Sequence, residues 1–182
     1  MILQNRIAIV TGAGSGIGRG GAEIMAREGA KVIVADLSPE RTEETVEIIT
    51  KAGGSAEALP TDVTDNDALH RLIADTHSKH GRIDILHSHA GIQVEGNLEE
   101  VTVDGLDKSY GLNVRPHFVA ARAVVPHMKA LGGGSIVNTS SNSGVFLDQG
   151  MLAYITTKAA VIAMTKQIAL DYAPYNIRCN AL

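Results

Sequence analysis

Tyr154 and Lys158 stand four residues apart in AYITTKAA (residues 153–160), a phenol and an ammonium among small and apolar side chains. On a helix, positions i and i+4 lie one above the other, roughly 5–6 Å apart at Cβ. An ammonium at that distance favours the ionised form of a phenol, which ordinarily titrates at about pH 10. A tyrosine so placed can take up or release a proton. A surface lysine resting its stem beside a tyrosine would show the same spacing, so the pair gains meaning only from its surroundings.

A second group of residues suits phosphate. Gly12, Ser15, Gly16, Ile17 and Gly18 lie in TGAGSGIGRG (residues 11–20), between a β-branched run and a helical pattern. Glycines let backbone approach a pyrophosphate, and a helix N-terminus offers free N–H groups with partial positive charge. A glycine-rich turn alone would say little, since glycine also serves ordinary tight turns. Here an acid, Asp36, closes the next β-branched run, KVIVAD. A carboxylate there accepts hydrogen bonds from ribose hydroxyls and repels a 2′-phosphate. Ser15 and Leu37 are uncharged, so the sequence shows no neighbouring cation for such a phosphate, and NAD is expected over NADP. Asp36 as a helix cap competes poorly, because Ser38 already offers that cap.

Short β-branched runs alternate with longer helical patterns, which points to an α/β fold with a parallel sheet and crossover helices. Strands are expected at 7–11, 31–36, 56–60, 84–89, 135–140 and from 177, and helices at 16–28, 39–52, 66–80, 103–131 and 151–172. Pro116 interrupts the long helix, because it lacks the N–H that would bond the Leu112 carbonyl, and Gly132–Gly134 ends it. No linker, repeat or low-complexity tract divides the 182 residues, so one domain over 1–182 is expected. A hydrophobic fraction of 45% with 19 glycines suits a globular chain. The net charge of −4 argues against nucleic-acid or acidic-membrane partners. No stretch approaches the roughly 20 apolar residues of a membrane span. A single cysteine, Cys179, excludes an internal disulfide and fits a reducing compartment. The N-terminal apolar run is too short for a signal peptide, so a cytoplasmic location is expected.

With the loop, the acid and YxxxK in place, the chain resembles the short-chain dehydrogenase/reductase family along essentially its whole length. The matching motifs are Thr11-Gly12-x-x-x-Gly16-Ile17-Gly18, Asp62-Val63 after the third strand, Ala90-Gly91 after the fourth, Asn113 in the long helix, Ser141 after the fifth strand, and Tyr154-x-x-x-Lys158. Ser141 precedes Tyr154 by 13 residues, a common family spacing. The resemblance implies a Rossmann-type, doubly wound parallel sheet of order 3-2-1-4-5-6, normally completed by a seventh strand. It implies a catalytic set of Asn113, Ser141, Tyr154 and Lys158 acting between NAD and a secondary alcohol or ketone. Ser141 would hydrogen-bond the substrate oxygen, Tyr154 would exchange its proton, Lys158 would assist Tyr154 and hold the nicotinamide ribose, and Asn113 would position a water. Asp62, Val63, His89, Ala90 and Gly91 join the glycine loop, Asp36, Leu37, Tyr154 and Lys158 as cofactor contacts. In the family, the helices corresponding to 103–131 and 151–172 pair across a two-fold axis. Their apolar stretches FVAARAVV and VIAMTKQIAL exceed one sheet-facing stripe, so a homo-oligomer is expected.

Two features depart from the family. An asparagine usually precedes Ala-Gly, whereas LHSHAG puts His89 there; a neutral imidazole can likewise donate and accept. His77, His80, His87 and His89 raise the question of a metal site, but no Cys or carboxylate shares their spacing, and no metal is expected. NIRCNAL closes the chain within a strand pattern, without the turn, covering loop and last strand of family members. The sheet is therefore expected to lack its last strand and lid. A non-catalytic NAD-binding module is the alternative function, disfavoured because a pure binder needs neither Ser141 nor Tyr154. Asn142, Ser143, Asp148 and Gln149 hint at a polar substrate.

Overall fold

The β-branched runs form six parallel strands: β1 (Ile7–Thr11), β2 (Lys31–Ala35), β3 (Ser55–Ala58), β4 (Ile85–Ser88), β5 (Gly134–Asn138) and β6 (Ile177–Ala181). In the computed structural model, which describes residues 1–182, they make one sheet of order β3-β2-β1-β4-β5-β6. Six helices connect them: α1 (Gly16–Arg27), α2 (Pro39–Lys51), α3 (Asn66–His80), α4 (Val103–Asn113), α5 (Arg115–Leu131) and α6 (Leu152–Tyr172). The strand order reverses between β1 and β4, which opens a crevice above their carboxyl ends, the position where doubly wound sheets bind ligands.

Period-2 alternation divides the core into two layers. Ala8, Val10, Val32 and Val34 meet Ala22 and Ala26 of α1 and Ile49 of α2 on one face. Ile7, Ile9, Ile33, Leu86 and Ile136 meet α3 and α5 on the other, against Leu69, Ile73, Val124 and Met128. Both faces of the central strands are covered, which is why their sequences read as nearly continuous apolar runs. The two edge strands, β3 and β6, are less covered.

Local signals set the helix ends. Ser38 Oγ accepts the Arg41 N–H (3.2 Å) to cap α2, and Asp65 Oδ1 accepts the Asp67 N–H (2.8 Å) to cap α3. The expected helix 103–131 is two helices. The break falls at Val114, and Pro116 occupies the first turn of α5, where its missing N–H has no helical partner to lose. At the far end of the sheet, Asp84 accepts the Ile7 N–H (2.9 Å) and Arg6 Nη1 (2.8 Å), stapling β1 to β4. No helix is long and apolar enough to cross a membrane.

Candidate active site

β1 runs directly into the glycine loop, and α1 begins at Gly16. Gly18 sits so close to the Gly12 carbonyl that any side chain at Gly18 would collide with it. Thr11 Oγ1 accepts the backbone N–H groups of His89 (3.0 Å) and Ala90 (3.3 Å), tying the end of β4 to the loop. Asp36 turns its carboxylate back toward the loop: Oδ2 accepts the Gly14 N–H (3.0 Å) and Oδ1 the Ser38 N–H (3.2 Å). The Thr61 N–H bonds the Asp36 carbonyl (2.8 Å), which draws Thr61–Thr64 to the same crevice. Every loop and strand-end residue expected to touch the cofactor, from Gly12 to Gly91 and Gly18 excepted, lines one cleft of about 610 Å3. That is a usual size for a small-molecule site. A floor of glycine backbone beside a helix N-terminus, with a carboxylate at one end, fits a dinucleotide: pyrophosphate over the loop, ribose hydroxyls at Asp36.

The same corner corrects one expectation. Sequence neighbours show no cation, but the fold brings in two. Arg19, one turn into α1, donates to the Gly14 carbonyl and to Thr45 Oγ1 (3.0 Å), and pairs with Glu44 (2.7 Å). Arg41, in the first turn of α2, backs the loop: a methyl on Gly14 would stand 2.8 Å from its Cβ.

Tyr154 and Lys158 occupy the first two turns of α6, with Nζ 5.6 Å from the centre of the phenol ring. Lys158 is only 3% exposed, which rules out a surface lysine. Its Nζ donates to the Thr139 carbonyl (2.8 Å) and has no carboxylate partner. Burial pushes its ammonium down to about 8. Ser141 begins a single 3-10 turn, Asn142–Gly144, and its Oγ accepts the Ser143 N–H (3.1 Å). Ser140 Oγ donates to the Lys158 carbonyl (2.8 Å), which fixes this turn against α6.

Asn113 is buried at the end of α4. Its Oδ1 accepts the Ile92 N–H (2.8 Å), and its Nδ2 donates to the Ile92 carbonyl (2.8 Å) and to Thr157 Oγ1 (3.0 Å). With its amide so engaged, Asn113 braces the segment after β4 against α6. A methyl on Gly91 would lie 2.8 Å from Asn113 Oδ1 and 3.6 Å from Lys158 Nζ, so Gly91 marks where cleft, brace and lysine converge. The loops beyond β4 and β5 are joined as well: the Gly96 N–H bonds the Gly150 carbonyl (2.6 Å) and the Leu152 N–H bonds the Gly96 carbonyl (3.2 Å). Within the second loop, Ser143 Oγ donates to Asp148 Oδ2 (2.8 Å), whereas Val145, Phe146 and Leu147 are exposed. Of the polar residues that hinted at a polar substrate, Asn142, Ser143 and Asp148 thus serve their own loop.

Six of the seven histidines fall in four places. His77 stacks on His127 with ring centres 4.0 Å apart, and His80 Nε2 lies 3.4 Å from Glu57 Oε2. His87 Nε2 and His89 Nδ1 each lie 3.0 Å from Thr139 Oγ1. Burial, then its neighbour His89, pushes His87 down to about 4, and burial, then Lys158, lowers His89. On the opposite face of the sheet, His117 of α5 is 1% exposed with neither ring nitrogen partnered, and burial pushes it down to about 3. Thr11, Thr139, Ser140 and Thr157 hold the site together, yet of these only Thr11 belongs to a motif. For Thr139 and Ser140 the sequence signal was the run of hydroxyls in NTSS, which ends at Ser141.

A family model described as short chain dehydrogenase matches residues 6–182. An uncharacterized oxidoreductase of Thermotoga maritima is 41% identical over 182 residues, all of this chain and 72% of that protein. A 7alpha-hydroxysteroid dehydrogenase of Clostridium sardiniense is 37% identical, covering 99% of this chain and 70% of its own length. A solved 7 alpha-hydroxysteroid dehydrogenase, complexed with NADH and 7-oxo glycochenodeoxycholic acid, superposes with a TM-score of 0.94 at 33% identity, over 98% of this chain and 70% of that one.

Proposed function

We propose, since the chain belongs to the short-chain dehydrogenase family, that this oxidoreductase acts on a secondary alcohol or its ketone with NAD(H). The observation that carries this reading is Lys158, a buried ammonium without a counter-ion, set beside the phenol of Tyr154. Keeping a charge out of water costs free energy, and perturbed groups of this kind gather at active sites.

Bound NAD(H) would accept or supply the hydride. The chain's own residues handle the proton. In the oxidative direction the phenolate of Tyr154 takes the proton of the carbinol hydroxyl, and in the reductive direction the phenol returns it to the carbonyl oxygen. Lys158 stabilises the phenolate through space, in surroundings dry enough for the attraction to count. Ser141 donates a hydrogen bond to the substrate oxygen as charge develops there. Asn113 acts through its brace, by holding the segment at Ile92 and the helix that bears Lys158.

NAD is favoured over NADP because the Asp36 carboxylate at the end of the cleft would repel a 2′-phosphate, and Glu44 already pairs with Arg19. A second copy of the chain is a further partner. A cleft of about 800 Å3 between α5 and α6, lined by Phe118, Val125, Met164, Ile168 and Tyr172, offers the apolar face for it, and a monomer by light scattering at micromolar concentration would refute that pairing. The buried, unpaired Cys179 suits the cytoplasm.

Tyr154→Phe tests the mechanism. The variant should bind NADH within about twofold of wild type and lose turnover on secondary alcohols, hydroxysteroids among them, followed by NADH absorbance. Near-normal turnover by Tyr154→Phe would refute it. Binding without turnover by the wild type would favour a non-catalytic NAD-binding module.

A further inference from the structure

We propose that His87, Thr139 and His89 form a hydrogen-bond relay that holds His89 in one tautomer, with its Nε2–H presented as a donor to the dinucleotide. This inference rests on the cofactor reading above and adds two positioning residues to it.

His87 and His89 point from β4 and its end to one face of the sheet, and both reach the hydroxyl of Thr139, at the end of β5. The backbone that carries that hydroxyl is fixed: the Thr139 N–H bonds the Ser88 carbonyl (2.9 Å), and the Thr139 carbonyl accepts Lys158. A hydroxyl carries one hydrogen. It makes no hydrogen bond to any other group, so with a ring nitrogen 3.0 Å away on each side it donates to one and accepts from the other. Two arrangements of neutral rings satisfy this.

His87 decides between them. Its Nδ1 is buried without a partner, and its ring edge faces α1, 3.5 Å from where a methyl on Gly21 would stand. An orphaned buried N–H is the rarer and costlier defect, whereas a bare lone pair is better tolerated. His87 therefore carries its hydrogen on Nε2 and donates to Thr139. Thr139 then donates to His89 Nδ1, and the hydrogen of His89 must sit on Nε2. His89 lines the nucleotide cleft, and Nε2 has no protein partner. A neutral donor there suits a phosphate or ribose oxygen. An asparagine in this position can turn its amide to suit a neighbour. A histidine must have its tautomer set, and His87 and Thr139 set it.

Two-bond 15N–1H correlation spectra of the histidine-labelled 182-residue chain read each tautomer directly. His87 and His89 should both carry the proton on Nε2, and a proton on Nδ1 of His89 overturns the relay. In calorimetric titration, Thr139→Val should bind NADH about fivefold more weakly, the net value of one hydrogen bond, and Thr139→Ser should stay within about twofold of wild type. Equal binding by Thr139→Val and wild type overturns the donor role. A wild type that binds neither NADH nor NADPH refutes the cofactor reading itself, and the donor role with it, whatever the tautomers prove to be.

Discussion

Replacing Lys158 with methionine should make the protein more stable while ending its catalysis. Burial lowers the lysine from 10.5 to about 8. At about 1.36 kcal/mol per pH unit, keeping the ammonium charged in the folded state costs about 3 kcal/mol at pH 7. Methionine has a similar stem and no charge. It forfeits the bond to the Thr139 carbonyl, a loss of about 1 kcal/mol, so Lys158→Met should gain about 2 kcal/mol at pH 7. The pH dependence identifies the cause. Between pH 8 and 10.5 the unfolded lysine holds a proton that the folded one has released, so this group makes the wild type more stable as pH rises through that window. The advantage of the variant should therefore shrink from about 2 kcal/mol to nothing by about pH 10. Urea unfolding of both proteins at pH 7 and pH 10, followed by circular dichroism, measures it as a double difference. NADH binding and turnover should fall in the same variant. A variant less stable than wild type at pH 7, or a difference that stays constant with pH, would refute the argument that the site holds a costly buried charge for function.

Asp36→Ala should lower the ratio of NAD to NADP affinity about tenfold by removing the charge that opposes a 2′-phosphate and leaving Arg41 nearby; an unchanged ratio in calorimetry would show that Asp36 does not choose the cofactor. His117→Leu should flatten the loss of stability in acid. The folded ring titrates at about 3 and an unfolded one at 6.5, so the unfolded state binds the extra proton between them and the wild type loses stability as pH falls from 6.5. The substitution should recover about 2 kcal/mol at pH 5 relative to pH 7, and parallel melting curves for variant and wild type at the two pH values would rule out His117 as the source.

Which parts of this protein could be read from its sequence depended on how far apart the partners lie. The glycine loop, Asp36 and the strands were legible because each rests on a local pattern: β-branched runs, a turn before a helix, an acid at a strand's end; the strand order came only from the family resemblance. Helical spacing set Tyr154 and Lys158 on one face, but only the surrounding motifs and the family resemblance gave the pair a role. What failed to show was whatever depends on the third dimension. Arg19 and Arg41 are 17 and 5 residues from Asp36 in sequence, and only the packing of α1 beside α2 brings them to one corner. Thr139 resembles any strand-end threonine until β4 and β5 pair and set His87 opposite Val137. Pro116 announced an interruption, but the position of the break at Val114 follows from where Asn113 must sit to reach both Ile92 and Thr157.

The bridge between Gly96 and Met151 has a consequence for engineering. Loops around a substrate site are commonly exchanged one at a time, as though each were a detachable part. Here Gly96 is hydrogen-bonded both to Gly150 and to Leu152, the first residue of the helix that carries Tyr154. Changing the length of either loop would re-aim that helix, and the phenol would move with it. Side chains at Val145, Phe146 and Leu147 are open to randomisation at fixed length, because they are exposed and lie outside the tether. Grafts that alter length must transplant 92–101 and 142–151 as one cassette.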